Sequence, residues 1–140
     1  MSATLLGSIA RTTVPQTALR RFLALDSVVT AGNGLAYTVF CAPLGRLLGV
    51  GPTTLLELGL FLTLYGAGVG LLAARRRPPV GPVKFVIEAN YAWAALSLVS
   101  LFLWDAPTTA GLVWIPLQAL TVAAFALFQR LALRSASGLQ

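Results

Sequence analysis

Four carboxylates, Asp26, Glu57, Glu88 and Asp105, are all the acid in this 140-residue chain, and they come with no histidine and a single cysteine, Cys41. That inventory excludes a His/Cys zinc centre, a c-type haem attachment, a Cys–His nucleophile pair and an internal disulfide, so neither metal nor cofactor is expected. The chemistry left open is acid–base work by a carboxylate, hydrogen bonding by amides and hydroxyls, and cation stabilisation by aromatic faces. Asp26 is the leading candidate for the first. It sits among Leu25, Ser27 and Val28 with no cation at helical spacing inside its apolar stretch. A carboxylate without a partner in a low-dielectric surrounding holds its proton more tightly, which suits proton transfer or cation capture. The structural alternative is pairing with Asn90, Thr30 or a basic residue of a neighbouring helix. Glu57 follows Thr54 at the Thr-x-x-Glu spacing of a capping box, a structural role. Glu88 has Lys84 four residues earlier, so a partner or snorkelling accounts for it. Asp105 belongs to a loop.

The elements that position these groups are set by composition. With 57% hydrophobic residues, 10% charged and a mean hydropathy of +0.83, the chain belongs in a bilayer. Four apolar stretches, 22–41, 54–74, 84–104 and 111–133, each approach the roughly 20 residues that a helix needs to cross the hydrocarbon. The expected fold is therefore all-α: one four-transmembrane-helix bundle over residues 1–140, with turns marked by Pro43 and Gly45, by Gly49 to Pro52, by Pro78 to Pro82 and by Asp105 to Thr109. Residues 1–14 lack the basic start and cleavage pattern of a signal peptide and read as a cytoplasmic or interfacial lead-in. Pro43 to Val50 reads as an interfacial amphipathic turn, Arg46 toward headgroups and Leu44, Leu47 and Leu48 toward acyl chains. A short echo, Arg21-Phe22 with Lys84-Phe85 and Pro52-Thr53-Thr54 with Pro107-Thr108-Thr109, suggests a duplicated hairpin.

The net charge of +6 would suit nucleic acid or a membrane surface, and its placement decides for the membrane. Arg11, Arg20, Arg21, Arg75, Arg76, Arg77, Lys84, Arg130 and Arg134 all fall on one side of a four-span chain, and only Arg46 falls on the other. The positive-inside rule then puts both termini and the 75–84 loop in the cytoplasm, and the chain in a bacterial inner membrane. The nine-to-one excess of arginine over lysine suggests a GC-rich genome.

Wound at about 100° per residue, three spans carry polar or aromatic stripes: Asp26, Thr30, Asn33, Tyr37 and Cys41; Asn90, Trp93, Ser97, Ser100 and Trp104; Trp114, Gln118, Thr121, Phe125 and Gln129. Polar groups in hydrocarbon turn inward, so these stripes should face one another. The second span instead lines up Gly59, Thr63, Gly66 and Gly70, a packing face. Counting about 1.5 Å per residue pairs Asn33 with Gln118 near mid-depth, Asp26 with Asn90 near the cytoplasmic third, and Tyr37 with Trp114 toward the outside. The stripes serve either as interhelical glue or as the lining of a small amphipathic cavity, with Asp26, Thr30, Asn33, Tyr37, Asn90, Trp93, Ser97, Trp114 and Gln118 as its residues.

The run Leu19-Arg20-Arg21-Phe22 leading to Asp26, the Pro43-Leu44-Gly45 turn, the Leu-Gly of the second span and Ala89-Asn90-Tyr91-Ala92-Trp93 together resemble a group of small uncharacterised bacterial four-helix membrane proteins, in which Ala-Asp/Asn-x-x-Trp opens the third helix. The resemblance implies a bundle and no activity, and it departs at Asp26, where the group has an amide. In size and topology the chain is also loosely similar to DoxX-like proteins and to eukaryotic four-helix sterol-binding and isomerase proteins, without a shared acidic motif.

Three function classes follow. The first is an accessory membrane protein that binds an apolar ligand or a partner helix within its bundle. The second is an intramembrane isomerase or cyclase acting on a terpenoid or polyketide-like substrate, with Asp26 as acid or base and Trp93, Tyr37 and Trp114 stabilising a cation. The third is a proton-coupled carrier of lipophilic cations, although the Ala-x-Glu of the small four-helix exporters is absent. Expected partners are membrane lipids and an apolar small molecule or another membrane subunit; a homo-oligomer is open to the chain, nucleic acid is not.

Overall fold

The computed structural model describes the backbone of residues 2–103 and 108–137 and the side chains of residues 16–103 and 108–136. Within these bounds the chain is helical, with no strand: α1 (Ser2–Val39), α2 (Cys41–Leu48), α3 (Pro52–Ala74), α4 (Val80–Leu103) and α5 (Thr109–Ser137). Three helices, Pro52–Ala74, Val80–Leu103 and Thr109–Ala136, are each long and apolar enough to span a membrane. Residues Gln16–Val39 of α1 meet that standard only together with α2, from which they turn by 101°. Asp26 and Asn33 lower the hydropathy of the 22–39 stretch, which accounts for the difference. The chain is thus a membrane-type helical protein with three to four spanning helices.

Element boundaries differ from the sequence expectation in instructive ways. Helical backbone already begins at Ser2, so the expected lead-in continues directly into α1. The first span was expected to run to Cys41, but α1 ends at Val39 and Cys41 opens α2, which closes on Gly49 in the left-handed conformation (φ 75°). In α2 the outward set is also smaller than expected. Leu47 is exposed, but Leu48 is buried at 7% and packs inward, because at eight residues the helix has room for one inward-facing edge, Gly45 and Leu48. The capping box is absent: the N-cap of α3 is Gly51, Pro52 supplies the first helical position, and no side chain caps the end, so Thr54 already lies inside the helix and Glu57 is exposed. Trp104 and Asp105 lie outside the described residues.

The helices form an open ring in the order α3, α1, α5, α4. The tightest joint is α1 against α3, made by glycines as the small-residue spacing predicts. A Cβ at Gly66 would lie 2.7 Å from the Ala31 amide nitrogen, one at Gly59 2.7 Å from that of Thr38, and one at Gly34 2.5 Å from that of Thr63. The Ser27 hydroxyl uses this proximity to donate to the Gly66 carbonyl at 2.7 Å. α1 meets α5 through Phe22 and Phe128, stacked at 5.2 Å. At the end of the bundle that holds the α3–α4 loop and the end of α5, Leu19, Leu23, Val69, Ala73, Val83, Val86, Ile87, Ala126, Ala132 and Leu133 make a continuous apolar core. At the opposite end α2 packs on α3 and α5, the Thr108 hydroxyl donates to the Leu47 carbonyl at 2.6 Å, and a side chain at Gly111 would run into the Leu48 carbonyl. α3 and α4 scarcely touch.

Candidate functional site

Where the apolar core ends, one polar cluster spans the bundle. Asp26 is wholly buried, and its carboxylate accepts three hydrogen bonds: from the Thr30 hydroxyl to Oδ1 at 2.9 Å, and from Asn90 Nδ2 and Gln129 Nε2 to Oδ2, each at 2.8 Å. The second proton of Asn90 Nδ2 goes to Gln129 Oε1 at 3.2 Å. Tyr65 completes the set, its hydroxyl 3.2 Å from Asn90 Oδ1 and 3.3 Å from the Val86 carbonyl. Each of the four long helices contributes: Asp26 and Thr30 from α1, Tyr65 from α3, Asn90 from α4, Gln129 from α5. Buried polar groups persist where they are satisfied, and these largely satisfy one another.

The expectation of a partnerless carboxylate is therefore corrected. Asp26 has the Asn90 and Thr30 partners of the structural alternative and a third, Gln129, that sequence reasoning put on the right stripe without pairing it. No cation among the described residues lies within ion-pairing distance of it, and every group it meets is a donor. Such a surrounding suits an acceptor and opposes a bound cation, which would face the same amide protons.

Above this cluster, away from the core, lies a cavity of about 230 Å³. Its floor is the cavity-facing side of Thr30, Asn90 and Tyr65, and its walls are Val29, Asn33 and Tyr37 of α1, Phe61 and Leu62 of α3, Ala89, Trp93 and Leu96 of α4, and Gln118 and Val122 of α5. Asp26 is not part of the lining; it sits one layer beneath. A second cavity of about 300 Å³ continues toward α2, sharing Tyr37, Trp93, Leu96 and Gln118 and adding Ser97, Ser100 and Trp114. Two polar pairs brace these walls. Trp93 Nε1 donates to Gln118 Oε1 at 2.9 Å, and Trp114 Nε1 donates to the Tyr37 hydroxyl at 2.7 Å. Phe61 stacks on Trp93 at 6.3 Å, across the mouth between α3 and α4. Phe61 and Leu96 at this mouth are 54% and 67% exposed, so the cavity opens sideways, toward where lipid would lie.

Eight of the nine sequence-derived site residues line one or both cavities: Thr30, Asn33, Tyr37, Asn90, Trp93, Ser97, Trp114 and Gln118. Tyr37 with Trp114 and Asp26 with Asn90 pair as the depth count expected. Asn33 and Gln118 do not. Gln118 is taken by Trp93 and, through Nε2, by the Ile115 carbonyl at 3.0 Å, which leaves the Asn33 amide without a hydrogen bond to any described residue, facing the cavity. Thr121, expected on the inner stripe, is exposed and bonds the Leu117 carbonyl of its own helix. Tyr65 was missed because the glycine stripe dominated the reading of α3; the Phe61, Tyr65 spacing on an adjacent face was the available signal.

Among the described residues no group of His, Cys, Asp and Glu could hold a metal ion. No protein-family model, curated protein or solved structure matches the chain.

Proposed function

We propose that this protein crosses a bacterial inner membrane four times, with both termini and the α3–α4 loop cytoplasmic, and binds a small apolar ligand that enters from the bilayer between α3 and α4. The observation that carries the reading is the cavity itself: mostly apolar walls, a side entrance, and one amide, Asn33, turned inward with its hydrogen-bonding capacity unspent. Ligand sites of this kind combine an apolar lining with a few fixed polar groups that orient the guest. The paired indoles and the Asp26 cluster hold those walls in place, so the site is formed before the ligand arrives. A ligand with one carbonyl or hydroxyl on an apolar body fits best, its polar atom against Asn33 and its body along Val29, Leu62 and Val122.

The test is mass analysis of organic extracts from the protein purified in mild detergent. The wild type should carry a near-stoichiometric apolar molecule, Ala89→Phe should lose it by filling the cavity, and Asn33→Leu should retain it more weakly. Extracts of all three that contain only bulk lipid would overturn the proposal.

The proton-transfer alternative gains one specific observation. Thr30 lines the cavity while its hydroxyl donates to Asp26, so a proton passing between a bound substrate and the carboxylate would travel through Thr30, with Asp26 as its buried store. Under that reading Thr30→Val abolishes turnover while leaving ligand retention in place.

A further inference from the structure

On the outer face of the α4–α5 joint, away from the ligand cavity, two helix faces of matching pattern meet. α4 presents Lys84, Ile87, Glu88 and Tyr91, and α5 presents Arg130, Leu133 and Arg134, around a cleft of about 730 Å³. The i, i+3, i+4 spacing on both helices brings these side chains to one side. Ile87 and Leu133 are each 6% exposed and form an apolar floor, while Lys84, Arg130 and Arg134 are exposed along the rim. Glu88 is the single carboxylate in the lining and makes no ion pair with any of the three cations, so the cleft holds a net double positive charge, and its cations have no hydrogen-bond or ion-pair partner among the described residues. Nothing comparable occurs at the neighbouring cavity between α3 and α4 at the same end, where Arg75 is the lone cation.

Position identifies the occupant. Lys84 and Arg134 stand near the ends of their helices, at the edge of the apolar spans, and Arg130 lies one turn deeper on α5, level with Glu88 and Tyr91, because its neighbour Gln129 bonds Asn90. From Lys84 to Tyr91 the cleft descends about 10 Å along α4, at about 1.5 Å per residue. Lys84 and Arg134 at the surface, Arg130 below them with a side chain long enough to reach up to their level, and the apolar floor of Ile87 and Leu133 match a phospholipid's phosphate, glycerol and acyl chain. A free phosphate would use the rim and leave the floor empty. We propose that this cleft binds one anionic phospholipid, its phosphate held by Arg130 and Arg134 with Lys84 closing over it, and its glycerol and first methylenes against Ile87, Leu133 and Tyr91. Basic pockets between helices at a membrane face are suited to such headgroups, and two arginines offer the fork geometry that phosphate oxygens accept. The site is independent of the ligand cavity and of its occupant.

The test uses the full chain in mild detergent doped with equal amounts of phosphatidylglycerol and phosphatidylcholine, with bound lipid read by native mass spectrometry. Wild type should retain one phosphatidylglycerol in preference to phosphatidylcholine. Arg130→Gln/Arg134→Gln should weaken retention roughly 30-fold, and Glu88→Gln should strengthen it roughly fivefold by removing the opposing charge. Arg75→Gln/Arg76→Gln/Arg77→Gln, which removes more charge elsewhere on the same end, should leave retention within about twofold of wild type. Arg130→Lys/Arg134→Lys keeps the charge and guards against a folding defect, since it should recover part of the loss. Three results would overturn the proposal: equal loss in the loop triple variant, no gain with Glu88→Gln, or displacement of the lipid by millimolar inorganic phosphate, which would make the site one for free anions.

Discussion

Asn90 Nδ2 donates to Asp26 Oδ2 at 2.8 Å across 64 positions of sequence, tying α4 to α1, two helices whose backbones do not otherwise approach. The cavity fills the space that this long reach leaves between them, so the same bond that closes the floor sets the width of the site above. The first prediction follows from how the carboxylate divides its oxygens. Oδ2 receives two amide donors, while Oδ1 receives only a hydroxyl, which can turn and accept instead. In Asp26→Asn the carbonyl oxygen can take the Oδ2 position and the new amide can donate to Thr30. This variant should fold and lose no more than about 1 kcal/mol. Asp26→Leu strands the Asn90 and Gln129 donors and should cost about 2–5 kcal/mol, with each buried unmet donor contributing. Thermal unfolding in detergent measures both, and an equal loss in the two variants would refute the division of oxygens.

The glycine joint gives a second prediction. At Gly66 a Cβ would lie 2.7 Å from the Ala31 backbone nitrogen, while at Gly68 nothing lies within 4 Å. Gly66→Ala must separate α1 from α3, at about 1–3 kcal/mol for overpacking. Gly68→Ala should be neutral or stabilising by up to about 1 kcal/mol through helix propensity. Melting temperatures that move in the same direction would place the packing face elsewhere.

Topology supplies a third. In a Cys41→Ser background, Thr109→Cys should react with a membrane-impermeant maleimide added outside intact cells, and Pro79→Cys only after permeabilisation; both positions are exposed. The expectation rests on nine of ten basic residues falling on one side. Reaction of Pro79→Cys in intact cells would reverse the orientation and put the α4–α5 basic cleft outside.

How much of this the residues disclosed varies with the kind of interaction. The packing face of α3 was readable because close approach requires small side chains at fixed helical spacing, and Gly59, Gly66 and Gly70 stand there whatever the side-chain rotamers do; that α1 is the helix on that face was not. Asp26 with Asn90 and Tyr37 with Trp114 were readable because depth and face together leave few partners. Gln129 was also within reach of the same arithmetic: about 27 Å from Gly111 brings α5 back to the depth of Asp26. Three residues failed for a different reason. Gln118 and Thr121 each had a competing partner nearby, and Asn33 lost its expected partner to Trp93; the choice of Gln118 for the Trp93 indole, or of Thr121 for its own helix's carbonyl, turns on side-chain geometry that periodicity does not carry. The capping box failed because Pro52 after Gly51 starts α3 two residues before Thr54, and a Thr-x-x-Glu motif inside a helix has nothing to cap.

The gap between α3 and α4 leads to the last prediction. The Tyr65 hydroxyl, shared between the Val86 carbonyl and Asn90 Oδ1, is the hydrogen-bonded link from α3 to α4 among the described residues, and the Phe61–Trp93 stack lies farther along the same opening. Tyr65→Phe keeps the ring and its stack on Phe61 at 5.9 Å and removes only the link. The stability loss should be small, about 1 kcal/mol, as for one net hydrogen bond. Access should change more than stability, because the helices have little else to hold their spacing. In a protein keeping Trp93 as its remaining indole, reconstituted with lipids brominated midway along the acyl chain, quenching of Trp93 fluorescence should rise in Tyr65→Phe, and Phe61→Ala, which uncovers the ring directly, should raise it further. Quenching in Tyr65→Phe equal to that of the parent protein would mean that the opening between α3 and α4 is held by something other than this hydroxyl, and would remove Tyr65 from any part in admitting ligand.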